Sequence, residues 1–267
     1  MWGAELTNFN LIRDLHLKGY QILCVVRGWS DGDFIARLKE INVPYCEIKL
    51  GFFYLTKPMW TLDSLLNYPK AIYQLRQVLK KFQPEWVFHS SYRSLVVGFI
   101  LFKSYKNIYR EHDEPQVSRI NRQIYKLINS MTRIVICPSQ AVREQLLILS
   151  IDARKVRVIP SPIDPELTAG SKLATTFPII RIGMVGQIIP RKNFPLLFQA
   201  LREIKEEFVL FVYGDDSNEY SRGLKKNVPT HLASKIKWAG VVKERKAIYS
   251  NLDIVVFSSK SESYGRV

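Results

Sequence analysis

The chain has 267 residues, 47% hydrophobic and 24% charged, a globular composition that excludes an intrinsically disordered chain. Its 39 lysines and arginines against 24 acidic residues give a formal net charge of +15, which draws it toward nucleic acid, anionic lipid or a nucleotide sugar. Cys24, Cys46 and Cys137 form no zinc pattern and point to reduced thiols in the cytoplasm, no apolar run approaches the ~20 residues of a membrane span, and the opening Met1–Glu5 lacks a leader pattern, so secretion is not expected.

Short β-rich runs alternate with segments of helical period. A first helix is predicted over Glu5–Lys18, with Leu6, Phe9, Ile12 and Leu15 on one side and a stop at Gly19. Strands are predicted at Gln21–Arg27, Tyr45–Ile48, Trp86–His89, Asn107–Arg110, Arg133–Cys137 and Val156–Ile159. Helices over Thr61–Phe82, Gln116–Asn129 and Gln140–Leu149 lie between them. Asp31-Gly32-Asp33 has the form of a D-x-D metal signature, but it falls where a polar helix begins and reads as a cap and turn. The alternation predicts parallel strands joined by right-handed crossovers, hence an open doubly wound α/β sheet.

Turn formers from Pro160-Ser161-Pro162 through Phe177-Pro178 mark a linker, giving a first domain over 1–160, a linker over 161–178 and a second domain over 179–267. Alternation resumes with strands at Ile179–Val185, Phe208–Gly214, Ile236–Ala239 and Asp253–Phe257. The helices between them are Phe194–Lys205, roughly Asn218–Asn227, and Lys243–Ser250. Two Rossmann-like halves would place ligands at the carboxyl ends of their strands.

The segment Gly183 to Leu197 runs from a buried strand through Gly186, Gln187, Arg191 and Lys192 into a helix with Pro195 in its first turn. Glycine admits a close ligand, and a helix N-terminus beside two cations attracts a diphosphate. An ordinary loop with two solvated cations is the alternative. The tail Asp253 to Val267 ends a strand in a serine-rich loop carrying Glu262, Tyr264 and Gly265. That carboxylate can accept from sugar hydroxyls or cap the next helix. His89 ends a strand, and His112 follows the next one within Arg110-Glu111-His112-Asp113-Glu114. Each is a candidate catalytic histidine or a packed one, whereas His16 and His231 read as surface residues. The aromatic stretch Gly51 to Trp60, followed by a helix with Lys70, Arg76, Lys80 and Lys81, suits an anionic membrane surface or a core-packed loop. No G-x-G-x-x-G stands in a dinucleotide context, and no zinc finger or RRM-like signature supports nucleic acid as a partner.

The segments 183–197 and 253–267 resemble the family-four, or group 1, glycosyltransferases. The first is similar to that family's G-Q-x-x-P-x-K-N form. The second matches its glutamate, aromatic and glycine, with a second glutamate that would fall three positions past Val267. Gly3-Ala4-Glu5 resembles the family's glycine-rich loop, which normally follows a first strand, and Cys137-Pro138-Ser139-Gln140 with Val158-Ile159-Pro160 and Asp164 resembles the end of its first domain.

The resemblance implies a GT-B fold, two Rossmann-like domains facing across a cleft, with the first strand missing and the second domain incomplete. It implies a retaining, metal-independent transfer from a nucleoside-diphosphate sugar to a glycan or lipid-linked acceptor in polysaccharide or glycolipid synthesis. The enzyme would be cytoplasmic, or peripheral at the inner face of the membrane. Lys192 would hold the diphosphate, Glu262 the donor-sugar hydroxyls, and Gly3 would admit the phosphates. Gln187 stands where many members carry an arginine, for which Arg191 could compensate. A noncatalytic sugar-nucleotide or glycan-binding fragment is the alternative.

Overall fold

The computed structural model describes residues 3–28, 32–50, 58–162, 179–242 and 244–265. The expected linker beyond Pro162, the aromatic stretch over 51–57, Asp31 and the last two residues lie outside them. The chain divides into two compact units, Met1–Pro162 and Ile163–Val267.

The first unit alternates helices and strands: α1 (Gly3–Leu17), β1 (Cys24–Arg27), α2 (Asp33–Glu40), β2 (Tyr45–Ile48), α3 (Pro58–Phe82), β3 (Trp86–His89) and the short α4 (Tyr92–Val97) and α5 (Phe99–Phe102). There follow β4 (Lys106–Arg110), α6 (Arg119–Met131), β5 (Thr132–Cys137), α7 (Gln140–Ile148) and β6 (Val156–Val158). All described strand pairs are parallel, in a two-stranded sheet β1-β2 and a four-stranded sheet β3-β4-β5-β6. Helix starts are set by serine caps. Ser91, Ser118 and Ser139 accept from Arg93, Asn121 and Val142, satisfying amides that have no partner inside the helix. The main core packs Leu75 and Leu79 of α3 with Leu95, Tyr109, Ile128, Val135 and Leu146.

Two predicted strands are shorter than expected, and one stretch without a prediction folds into helices. The first strand begins at Cys24 rather than Gln21, because its register with β2 starts at Cys24 opposite Tyr45. Over the apolar run Leu95–Phe102, where no element is predicted, the chain forms the end of α4 and all of α5, with Gly98 closing one and opening the other. The strand predicted over Asp253–Phe257 is only Ile254–Val255, preceded by Asp253, whose carboxylate accepts from the Arg181 amide and guanidinium.

The second unit contains β7 (Ile180–Val185), a 3₁₀ turn (Pro190–Lys192), α8 (Phe194–Leu201), β8 (Phe208–Tyr213), α9 (Glu219–Lys226), α10 (Thr230–Ala233), β9 (Ile236–Gly240), α11 (Arg245–Tyr249) and β10 (Ile254–Val255). Its sheet is parallel in the order β10-β7-β8-β9. Alternation along β8 sends Phe208, Leu210 and Val212 to one face, where Phe194, Leu197 and Leu232 cover them. Phe211 and Tyr213 go to the other, against Ile248 and Leu252. Helices on both faces of a parallel sheet are the doubly wound arrangement expected.

Candidate functional site

In the second unit the site grows from the carboxyl end of β7. Gly186 has φ of +135°, a backbone region that favours glycine. A Cβ on it would lie 3.3 Å from Lys192 Cε, so the lysine stem runs directly over this glycine. A Cβ on Gly214, at the end of β8, would fall 2.0 Å from the Gly186 carbonyl oxygen. The two strand ends therefore meet backbone to backbone, and only glycine fits there.

The 3₁₀ turn then directs two cations onto one carboxylate. Lys192 is only 6% exposed, and its Nζ donates to Glu262 Oε1 at 2.5 Å. Arg191 Nη1 lies 3.1 Å from Glu262 Oε2 and donates to the Ser261 carbonyl at 2.7 Å. Ser259 donates to Glu262 Oε1 at 2.7 Å. The loop is tied back twice more: Ser258 Oγ donates to the Lys192 carbonyl, and the Lys260 amide donates to the Arg191 carbonyl. Burial disfavours the Glu262 charge, yet Lys192, Ser259 and Arg191 together hold its carboxyl below the usual glutamate range. The cluster carries two positive charges and one negative, and so is net positive. Asn193 follows in the left-handed region, makes no side-chain cap, and leads into α8 with Pro195 at its start. Gln187 is exposed, as are Tyr264 and Gly265 in the loop after β10.

In the first unit the candidates sit at the carboxyl ends of β3 and β4. His89 is buried, edge-on to the Phe102 ring at 4.6 Å, with Nε2 3.0 Å from Asn107 Oδ1. The Asn107 amide nitrogen donates to the carbonyls of Phe102, Tyr105 and Met131, so its oxygen must accept and His89 Nε2 carries the proton. Burial lowers the His89 pKa to about 4, which keeps the ring neutral. His112 is half-buried, and its amide donates to Glu111 Oε1 at 3.1 Å. Gly3 opens α1.

Sequence reasoning missed the carboxylate beside His112. Glu111 is buried and accepts from the hydroxyls of Tyr109, at 2.7 Å, and Tyr125, as well as from the amides of His112 and Asp113. Burial pushes its pKa up against the pull of those four donors. The signal available was the Arg110-Glu111 pair directly after Ile108-Tyr109 at the carboxyl end of a strand. Among the described residues no group of three or more metal-ligating side chains could hold an ion, and no helix is long and apolar enough to cross a membrane.

Comparison with known proteins agrees with this architecture. The family profile Glycosyltransferase Family 4 matches residues 2–167, and that of Glycosyl transferases group 1 matches residues 179–267. No curated protein matches the sequence. Among solved structures, Anabaena Alr3699/HepE in complex with UDP and glucose is 20% identical, with a TM-score of 0.77 over 99% of this chain and 73% of that one. A glycosyltransferase from Rickettsia africae ESF-5 is 18% identical, with a TM-score of 0.72 over 97% of this chain and 70% of that one. The lipopolysaccharide outer core galactosyltransferase WaaB in its apo form is 18% identical, with a TM-score of 0.62 over 99% and 72% of the two chains. These likenesses show the GT-B fold class.

Proposed function

Because the chain belongs to glycosyltransferase family 4, whose profile matches residues 2–167, we propose that it moves a sugar from a uridine-diphosphate donor to a glycan or lipid-linked acceptor, with retention and without a metal. The glycosyltransferase assignment itself follows from the family. The observation carrying the donor proposal is the buried Lys192, whose stem runs over Gly186 and whose ammonium converges with Arg191 on Glu262. Solved relatives hold UDP or UDP-glucose, which supports the choice of base.

The proposed chemistry uses charge already in place. An arriving diphosphate takes Lys192 and Arg191 from Glu262, and the released carboxylate accepts from the donor sugar. The bond from the anomeric carbon to the diphosphate breaks, and its electron pair leaves with UDP. Lys192, Arg191 and the positive end of α8 stabilise that developing charge. The acceptor hydroxyl attacks the same face of the sugar, and its proton passes to the departing phosphate oxygen. Gly186, Gln187, Tyr264 and Gly265 frame the donor, and His112 contacts the acceptor, on a loop fixed by Glu111. Buried His89 supports the same strand ends. The enzyme would work at the cytoplasmic face of an anionic membrane.

Calorimetric titration with UDP and turnover of UDP-sugars by the full chain test this directly. Lys192→Ala should weaken UDP binding and cut turnover by about 10²–10³-fold, the usual effect of losing one preorganised charge contact. Unchanged binding and turnover would remove Lys192 from the site, and binding without any turnover would make the chain a sugar-nucleotide binder.

A further inference from the structure

Arg110 is a buried cation that nothing in the proposed donor chemistry uses. It closes β4 and is only 5% exposed. Its Nη2 donates to Ser161 Oγ at 3.3 Å, and its Nε is buried with no hydrogen-bond partner. Among the described residues no carboxylate forms an ion pair with it. Its neighbour in sequence, Glu111, sits on the opposite side of the strand's alternation and is taken up by Tyr109, Tyr125 and two amides. The nearby Cys137 cannot supply the missing charge, because burial pushes its thiol up to about 11 and leaves it neutral. Arginine does not escape by losing its proton, so an uncompensated guanidinium here costs stability.

The placement explains why such a cost would be tolerated. β4, β5 and β6 are adjacent parallel strands in that order. Arg110 ends the first, and Ser161 follows the third by three residues, so the pair bridges the carboxyl edge of the sheet, where parallel α/β folds take ligands. The helix α7 begins three residues after β5 ends, bringing its partial positive end to that edge. His89 and His112 close β3 and follow β4 on the same edge.

We propose that Arg110 and Ser161 form an oxyanion subsite that binds a phosphate or carboxylate group carried by the acceptor. This rests on the reading of the first unit as the acceptor side, and it narrows the acceptor to an anionic one: a phosphorylated lipid or sugar, or a sugar acid. The guanidinium supplies the charge and the free Nε–H, and Ser161 holds its plane while offering its own hydroxyl to the ligand.

The test titrates the full chain with inorganic phosphate and with glucuronate at constant ionic strength set by chloride. Wild type, Arg110→Met, Ser161→Ala and Lys192→Ala are compared, with UDP titrated in parallel. Wild type and Lys192→Ala should bind at least one anion saturably, and the anion bound more tightly identifies the acceptor's group. Arg110→Met should weaken that binding at least about tenfold while leaving UDP affinity unchanged, since a charged hydrogen-bond partner is lost. Ser161→Ala, which removes one hydroxyl and keeps the cation, should weaken it by a smaller factor and serves if Arg110→Met fails to fold. The subsite is overturned if neither anion saturates wild type, if Arg110→Met and Ser161→Ala bind as wild type does, or if only Lys192→Ala loses binding. A parallel loss of UDP in Arg110→Met would assign the cation to the donor and overturn it equally. Failure of the donor reading looks different: UDP binding would survive in Lys192→Ala while Arg110→Met still lost its anion.

Discussion

Lys192 and Glu262, 70 residues apart in sequence, meet at 2.5 Å with the lysine buried, so the ammonium is already engaged by a carboxylate of the chain itself. A diphosphate must compete with Glu262 for the ammonium. Glu262→Gln removes the competing charge, so UDP alone should bind several-fold more tightly. Turnover of UDP-sugar should nevertheless fall by about tenfold or more, because the neutral amide is a weaker acceptor for the sugar hydroxyls. Calorimetry and a UDP-release assay on the same preparation separate the two effects. Weaker UDP binding in Glu262→Gln would mean that the carboxylate organises the cations instead of competing with the ligand.

His89 gives a pH dependence of definite sign. Its folded pKa of about 4 lies below the ordinary histidine value of 6.5, so the unfolded chain binds the extra proton. The stabilisation is complete above 6.5 and is lost as the pH falls toward 4. Its size is about 3 kcal/mol if the shift is wholly expressed. Urea unfolding across this range should show wild-type stability falling more steeply with acid than that of His89→Gln. The substitution also loses the Phe102 and Asn107 contacts, so the slope is the readout, not the absolute stability. Parallel slopes would show that the ring is not held neutral.

The candidate site of the second unit could be picked out in the sequence because several of its parts are local. Gly186, Arg191, Lys192 and Pro195 lie within one strand–loop–helix segment, and each residue type has a physical reason to stand where it does. What a linear reading could not supply is partnership. Nothing near Lys192 in sequence announces that its ammonium rests on Glu262, or that the Gly214 backbone presses on Gly186. The Tyr109–Glu111–Tyr125 cluster was invisible for the same reason, since Tyr125 comes from α6 and its hydroxyl acquires meaning only when the helix packs on β4. The short helices α4 and α5 went unpredicted because each spans six residues or fewer, too short for a helical period to show in the sequence.

That cluster makes a stability prediction graded by chemistry. Tyr125→Phe removes one donor to Glu111 and leaves three, so it should cost only about 1 kcal/mol. Glu111→Ala strands two buried hydroxyls and two amides, and should cost about 3–5 kcal/mol. Glu111→Gln keeps the shape but cannot accept from all four donors, and should fall between them. Denaturant midpoints of the three variants check the order. If Glu111→Ala were as mild as Tyr125→Phe, the carboxylate would not be what fixes the loop carrying His112.

The helix α3 is apolar on two sides, and only one of them is covered. Ser64, Ala71, Leu75 and Leu79 are buried, while Met59, Leu62, Leu66 and Tyr73 form an outward stripe at helical spacing, with Leu66 74% exposed. Lys70, Arg76, Lys80 and Lys81 are exposed along the same helix. Apolar side chains beside lysines on a chain of net charge +15 suit the headgroup region of an anionic bilayer, where burial and charge attraction add. The full chain should therefore sediment with phosphatidylglycerol-rich vesicles at low salt and release as salt rises. Replacing Met59 and Leu66 together by glutamate should weaken sedimentation at least about tenfold, since burying each such side chain contributes about 1.5–3 kcal/mol. The thermal midpoint should barely move, because neither side chain packs in the core. Undiminished sedimentation of the double variant would place the membrane contact elsewhere, and a chain that stayed in the supernatant at every salt concentration would leave this stripe without a bilayer role.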